Sequence, residues 1–327
     1  MEIAITRRAF AAAGVLVALT GASYGADWKP SGQITLIVPW AAGGGAEQVA
    51  RIIAEGLQDA YGQTVVLDFR PGANGTVGTY RVSQSAPDGL TLMVTSQAPV
   101  VNMRYRTEPL PYDPDKDLTP IALVAEAPFI IAASAKFGPS NMEELVTYAK
   151  ENPGKINAGI SGFGGSGHLG MSVLSYTTGI EMTMVPYAGT GERLADLMAG
   201  RLDLTMGIGA SGYLPGIQAG TLKPIAIMGQ DRLAELPEVT TTIEQGFPDT
   251  VITGWYLISG PGALPDEITS SINTAITDYL KREDIKEQML AAGNVAATST
   301  VEEIKAKIQK ETALVGELIK GKYFEVP

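Results

Sequence analysis

The chain has 327 residues, a formal net charge of −11, 38 glycines, one histidine and no cysteine. That length can bury a sizeable core and accommodates two domains. The acidic excess, with no basic stripe, argues against nucleic acid and anionic membrane surfaces as partners. The lack of cysteine excludes disulfides, lipoprotein anchorage and thiolate chemistry, and one histidine cannot build an ordinary N/S metal site, so neither a metal nor a cofactor is expected.

In chain order, Thr6-Arg7-Arg8-Ala9-Phe10 leads into an apolar stretch, Ala9 to Leu19, of signal-peptide length and too short to span a bilayer. The paired arginines fit either a twin-arginine export motif or an ordinary secretion signal, and both export the chain. Cleavage after Ala22, Gly25 or Ala26 is expected. Residues 1–26 are therefore read as a signal peptide, and no later apolar run reaches membrane-spanning length, which predicts a soluble periplasmic protein.

Next comes a β-branched run, Ile34 to Val38, stopped by Pro39 and followed by Trp40-Ala41-Ala42-Gly43-Gly44-Gly45. A helical pattern, Ala46–Tyr61, carries Val49, Ile52, Ile53 and Leu57 on one face. Strand, glycine loop and helix in this order present bare N–H groups and a helix N-terminus, which favour an anion; the plain alternative is a tight strand-to-helix turn. Strands are predicted at Thr64–Phe69 and Thr91–Thr95, with Ser96 and Gln97 at the end of the latter as candidates facing a cleft. Arg104–Thr119, dense in Pro, Asp and Tyr, reads as a surface connection. Ile121–Ala125 and Phe129–Ala133 read as two strands and Met142–Glu151 as a helix, with Ser140 and Glu143 as its capping box.

Strand Ile156–Ile160 opens a second strand–glycine–helix unit through Ser161-Gly162-Phe163-Gly164-Gly165-Ser166-Gly167 into a helix over His168–Thr177. Two such units suggest two lobes closing on one anionic ligand. A third candidate loop, Tyr187, Gly189 and Thr190, joins strand Met182–Pro186 to a helix over Glu192–Ala199; Thr190 is either that helix's cap or a ligand donor. Strands Leu202–Ile208 and Pro224–Met228 follow, then Gly254-Trp255 between two β-like runs, and helices Pro265–Arg282 and Val301–Lys320, the last with Ser299 and Glu302 as capping box. The alternation predicts an α/β fold with mainly parallel sheets flanked by helices. Hinges near Ala127–Ala135 and Gly246–Leu257 divide the chain into a discontinuous lobe, 27–130 plus 252–327, and a second lobe, 131–251.

Gly162 to Gly167 also satisfies G-x-G-x-x-G, but a dinucleotide site needs an acidic residue ending the next strand, and Glu181 precedes it instead. His168 reads first as a group donating a hydrogen bond within its loop, with direct ligand contact as the alternative. No nucleophile elbow accompanies it, so no catalytic residue is assigned and the protein is not expected to be an enzyme. Asp203 would repel an anion and reads as a structural or water-orienting group; Arg70 reads as a tie between loop and lobe before a ligand partner.

The motif order resembles the tripartite tricarboxylate transporter solute receptors, the Bug or TctC family. The resemblance rests on Val38-Pro39-Trp40-Ala41-Ala42-Gly43-Gly44, Arg70-Pro71-Gly72-Ala73-Asn74-Gly75, Pro87-Asp88-Gly89, Thr119-Pro120-Ile121-Ala122, Asn152-Pro153-Gly154-Lys155, Gly162 to Leu169, Val185-Pro186-Tyr187-Ala188-Gly189, Glu244-Gln245-Gly246 and Gly254-Trp255. It implies type II periplasmic binding architecture with a ligand cleft between lobes. It further implies a monomer that clamps a small organic carboxylate (a di- or tricarboxylate or an aromatic acid) and delivers it to membrane permease subunits. An exported α/β enzyme acting on a carboxylated substrate, or an accessory to two-component sensing, is the alternative. The expected contacts are Trp40, Ala41, Gly43, Gly44, Gly45 and Ala46 in one jaw with Ser96 and Gln97, and Ser161, Gly162, Phe163, Gly164, Ser166, His168, Tyr187, Gly189 and Thr190 in the other. Three positions depart from the family's usual Thr or Ser, Asp, and Lys: Ala46, Glu47 and Ala188. They bear on which ligand is bound more than on the fold.

Overall fold

Strand β1 (Ile34–Val38) buries Ile34, Leu36, Ile37 and Val38 almost completely, so both its faces are covered, as in a central parallel strand. It lies between β2 (Val65–Phe69) and β3 (Thr91–Ser96), parallel to both, with Leu36 opposite Leu67 on one side and Leu92 on the other. Helix α1 (Gly45–Tyr61) covers this sheet with Val49, Ala50, Ile53 and Leu57, a stripe at helical spacing. It packs on α8 (Asp266–Leu280) so closely that a Cβ at Gly56 would lie 2.5 Å from the Tyr279 ring. The structure, a computed structural model, describes residues 28–187 and 189–327. The signal-peptide reading and the departure at Ala188 fall outside those residues.

A second set of parallel strands, β5 (Asn157–Ile160), β6 (Thr183–Pro186) and β7 (Leu204–Ile208), repeats the arrangement. Helix α5 (Ser166–Thr178) covers one face and is buried along nearly its whole length, with Gly167 and Gly170 against Met206 of β7. Helix α6 (Thr190–Ala199) follows β6.

Two long strands join the sets. β4 (Leu118–Ser134) has 17 residues, about 55 Å at the usual rise per residue. Its first part pairs antiparallel with β9 (Thr253–Pro261), and its last part with β7 and with β8 (Leu222–Met228). The path through the sheet is β2-β1-β3-β9-β4-β7-β5-β6. Three successive antiparallel pairings, β3 to β9, β9 to β4 and β4 to β7, separate the two parallel sets. An odd number of reversals makes the sets run in opposite senses, so the carboxyl ends of β1 and β3 point toward those of β5 and β6. Ligands in open α/β sheets bind beyond carboxyl ends, and here two such edges face one another. This is the two-lobed α/β fold that the sequence predicts.

Several local expectations change. Ile121–Ala125 and Phe129–Ala133 are parts of the one strand β4, which continues through Pro128 opposite Thr253. The two caps sit one residue later than predicted, and only the second is a reciprocal box. Asn141 caps α4 (Met142–Glu151), and Thr300 with Glu303 forms the box of α10 (Val301–Lys320). The predicted helix Pro265–Arg282 ends at Leu280, and α9 (Glu283–Ala291) follows at once. Among the described residues no helix is long and apolar enough to cross a membrane.

Candidate functional site

The first glycine loop leaves β1 at Pro39 and enters α1 at Gly45. The residue before that helix, Gly44, is extended and offers no side-chain cap, so the N–H groups of Gly44, Gly45 and Ala46 make no hydrogen bond within the described chain. Gly43 differs. It takes a left-handed φ of 94°, and its N–H donates to Glu47 Oε2 at 2.6 Å. That bond, and then Arg51 on the other carboxylate oxygen, holds the Glu47 carboxyl below its ordinary range. Of the expected N–H donors, Gly43 is therefore engaged inside the chain. Trp40 is half-buried while Ala41 and Ala42 are exposed.

The second loop uses the same device. Gly164 is left-handed, with φ of 83°, and its N–H donates to His168 Nδ1 at 3.0 Å, while the Gly165 N–H turns back to the Gly162 carbonyl. As Glu47 does in α1, His168 occupies the third position of its helix and reaches back four residues. The N–H groups of Ser166, Gly167 and His168 remain without partners in the described chain. His168 is only 3% exposed, stacks on Phe324 at 4.4 Å and meets the Phe163 ring edge-on. Burial pushes its pKa down to about 4, so it is neutral at pH 7, and with Nδ1 accepting, the proton sits on Nε2. Its role in fixing the loop agrees with the sequence reading, except that Nδ1 accepts the bond.

Each jaw thus ends in a helix N-terminus with three consecutive free N–H groups. Such groups, with the positive end of the helix dipole, stabilise a carboxylate without a cationic side chain. The jaws meet through a turn whose residues sequence reasoning left without a role. Asn74, left-handed at φ 51° after Ala73 at φ 45°, donates from Nδ2 to the Phe163 carbonyl at 2.6 Å. The same turn lies against Trp40, since a Cβ at Gly75 would be 3.5 Å from that indole. Asn102 Nδ2 donates to the Gly164 carbonyl at 3.0 Å. The Arg-Pro-Gly-Ala-Asn-Gly motif is thus a strut between the two loops.

The remaining predicted residues divide. Ser96 is buried and accepts from Ala98 N–H, capping the short helix α3 (Gln97–Val100). Gln97 is fully buried; its Oε1 accepts from Trp255 N–H, and its Nε2 has no partner among the described residues. Ser161 and Ser166 are half-buried beside the second loop, the Ser161 hydroxyl lying against Gly165 and Gly167. The third loop stands one strand further out, where Tyr187 N–H donates to the Ile160 carbonyl. The Tyr187 hydroxyl donates to Asp196 at 2.6 Å, a hydrogen bond that raises its pKa. Gly189 occupies the cap position of α6; Thr190 is exposed within the helix and does not cap it. Asp203 accepts from Asn157 N–H and Arg70 pairs with Asp68, both structural ties as expected.

Tyr256 was not anticipated. It sits on β9 opposite Ser96, its hydroxyl is 3.5 Å from the Cβ position of Gly45, and its ring meets Trp40 edge-on at 6.4 Å. Burial pushes its pKa up to about 12, with no hydrogen bond opposing the effect. Its signal was strand alternation, since Trp255 faces the helix α10 and its neighbour must face the other way. Two cavities, of about 300 and 420 Å³, lie elsewhere, against α10. The jaws, with their N–H groups free of partners in the described chain, form the candidate site.

The tripartite tricarboxylate transporter family receptor model matches residues 49–323. The protein BugT of Bordetella pertussis is 30% identical over 307 residues, covering 93% of this chain and 94% of that protein. Among solved structures, R. palustris Rpa4515 with adipate is 28% identical, with a TM-score of 0.84 over 91% of this chain and 99% of that one. MatC from Rhodopseudomonas palustris with bound malate is 27% identical, with a TM-score of 0.79 over 89% and 99% of the two chains. Facing carboxyl edges and paired glycine loops thus coincide with near-full-length similarity, and the chain belongs to the tripartite tricarboxylate transporter receptor family, the Bug or TctC solute-binding proteins.

Proposed function

We propose that this protein is an extracytoplasmic receptor that closes its two lobes on a small organic carboxylate and delivers it to a tripartite tricarboxylate-type permease. The observation that carries the reading is the pair of facing helix N-termini, Gly44–Ala46 and Ser166–His168, each with three N–H groups free of partners in the described chain. In this reading residues 27–130 with 252–327 form one lobe and 131–251 the other, with bending in β4 and β9. Trp40 and Tyr256 wall the first jaw, and Phe163 the second. The ligand touches both jaws only when the lobes are together, and that differential contact shifts the population toward closure. Residues 1–26 act as the export signal, the mature receptor works as a periplasmic monomer, and handover requires no chemical step. The adipate and malate bound to the two similar proteins support a carboxylate ligand.

Native mass spectrometry of the purified protein, followed by thermal-shift screening of organic acids, tests the proposal. Binding to the folded state raises the melting temperature by mass action. Carboxylates are expected to raise it; a response to sugars or amines with none to carboxylates refutes the reading.

A further inference from the structure

Arg193, the fourth residue of α6, is 4% exposed, and its Nε has no hydrogen-bond partner among the described residues. Among the described arginines Arg51, Arg70, Arg104, Arg106, Arg201, Arg232 and Arg282 each have a carboxylate within salt-bridge distance. Arg81 and Arg193 have none among the described residues; Arg81 is exposed and bonds to Ser85, whereas Arg193 is buried. An arginine remains charged at any physiological pH, and a buried charge without a counter-ion is strongly unfavourable. The arrangement therefore calls for an anion that the described chain does not supply.

The direction of the side chain shows where that anion would come from. Its Cγ and Cδ pass 3.0 and 3.3 Å from the Cβ position of Gly159 on β5, where a larger residue would block the stem. The guanidinium lies near Tyr213, whose hydroxyl is 2.3 Å from the Cβ position of Gly207 on β7. Gly159 pairs with Thr205, so Gly207 lies two residues nearer the carboxyl edge. The stem thus runs from β5 toward the edge that faces the first jaw. Tyr213 is itself buried, and its hydroxyl has no hydrogen bond of good geometry. Two buried groups without a hydrogen bond of good geometry among the described residues, the Arg193 Nε and the Tyr213 hydroxyl, sit together against β5 and β7, with Thr205 beside the hydroxyl.

We propose that Arg193, with Tyr213 beside it, is the specificity group for a second anionic group on the ligand, so that the receptor selects dianionic over monoanionic organic acids. The proposal rests on the carboxylate-receptor reading above: the helix N-termini hold one carboxylate and Arg193 receives the other. A planar guanidinium takes a carboxylate through two parallel bonds, and the Tyr213 hydroxyl adds a donor.

The test compares acids of equal carbon count by calorimetry: succinate and malate with butyrate, and adipate with hexanoate. Wild type is expected to favour the dicarboxylates at least tenfold. Arg193→Met should bring that preference close to one while raising the melting temperature of the ligand-free protein, because an unpaired buried charge is removed. A purely structural arginine would give the opposite stability change and an unaltered preference, and that result overturns the proposal. If Arg193→Met does not fold, Arg193→Lys and Tyr213→Phe decide: each should lower the preference severalfold, and unchanged ratios in both overturn it. A wild type that binds both classes equally refutes the specificity role alone, whereas one that binds no carboxylate refutes the receptor reading as well.

Discussion

Gly45 is the first residue of α1 and makes no hydrogen bond through its N–H within the described chain, so it isolates the contribution of one backbone donor. Proline suits this first helical position, and Gly44 before it is already extended, as a pre-proline residue must be. Gly45→Pro is therefore expected to keep the melting temperature within a few degrees. It should weaken ligand binding by about 1.5–3 kcal/mol, the usual worth of a hydrogen bond to a charged group, or roughly ten- to a hundredfold. Gly45→Ala keeps the N–H and places its methyl at ordinary contact with Tyr256, so affinity should change little. Calorimetry on the pair checks the role; equal affinities would remove this N–H from the site. Tyr256→Phe is a second case, since the hydroxyl lies over the same helix end and has no partner opposing its upward pKa shift. Loss of a ligand bond predicts severalfold weaker binding by calorimetry, with stability kept because the ring packing is unchanged. These residues differ in legibility. The glycines announce themselves by type and spacing, whereas Tyr256, Asn74 and Arg193 acquire their positions only when strands distant in sequence are brought side by side.

Helix α10 is tied to both crossing strands through one buried carboxylate. Glu311 accepts from Trp255 Nε1 on β9 at 2.6 Å, and Lys307, 3.9 Å away, bonds to Glu126 on β4 at 2.6 Å. Burial pushes Glu311 up to about 7 from an ordinary 4.5, against the pull of Lys307 and Trp255. The folded state therefore holds an extra proton between those values, and this contribution to stability fades as pH rises from 4.5 to 7. His168 acts oppositely. Its folded value of about 4 lies below an ordinary 6.5, so the unfolded chain holds the extra proton and stability is lost as pH falls through that window. Each effect is on the order of 3 kcal/mol at about 1.4 kcal/mol per pH unit, and the two nearly cancel in wild type. Glu311→Gln should make the melting temperature rise from pH 4.5 to 6.5, and His168→Asn should make it fall over the same range. Melting curves at a series of pH values test both, and parallel slopes in the two variants would contradict the assignments. At this scale the strongly periodic helices α1, α4 and α10 were readable almost to the residue. Helix α2 (Thr76–Ser83) was not, because its buried positions are Thr76, Gly78, Thr79 and Val82, which give no apolar stripe. Glu126-Ala127-Pro128 interrupted the pattern of β4 and split one strand into two, although Pro128 continues the pairing without needing an N–H.

Among the described residues, Asn74 bonds to the Phe163 carbonyl and Asn102 to the Gly164 carbonyl between the two jaws, the first the shorter. Asn74→Gly keeps the left-handed turn and deletes this bond. It is expected to weaken ligand binding about three- to tenfold, near 1 kcal/mol, through a shift toward more open forms. Calorimetry, with small-angle scattering to detect a larger radius of gyration, checks this; unchanged affinity and dimensions would show that the strut does not bias closure. The two-lobed plan itself was legible, since two strand–glycine–helix units imply two carboxyl edges. That the two units close on one ligand was expected too, but the reversals through β9 and β4 that make the edges face one another were not legible. The same pair of strands has a mechanical consequence. A ribbon of two hydrogen-bonded strands flexes readily across its broad face and resists shear within its plane, where each displacement breaks ladder bonds. Joined by β4 and β9, the lobes keep a swing across the face of the ribbon as a soft coordinate, with sliding in its plane held stiff. A partner reading the outer surfaces of the two lobes would then register that swing as a change in one spacing and so know how far the jaws stand apart.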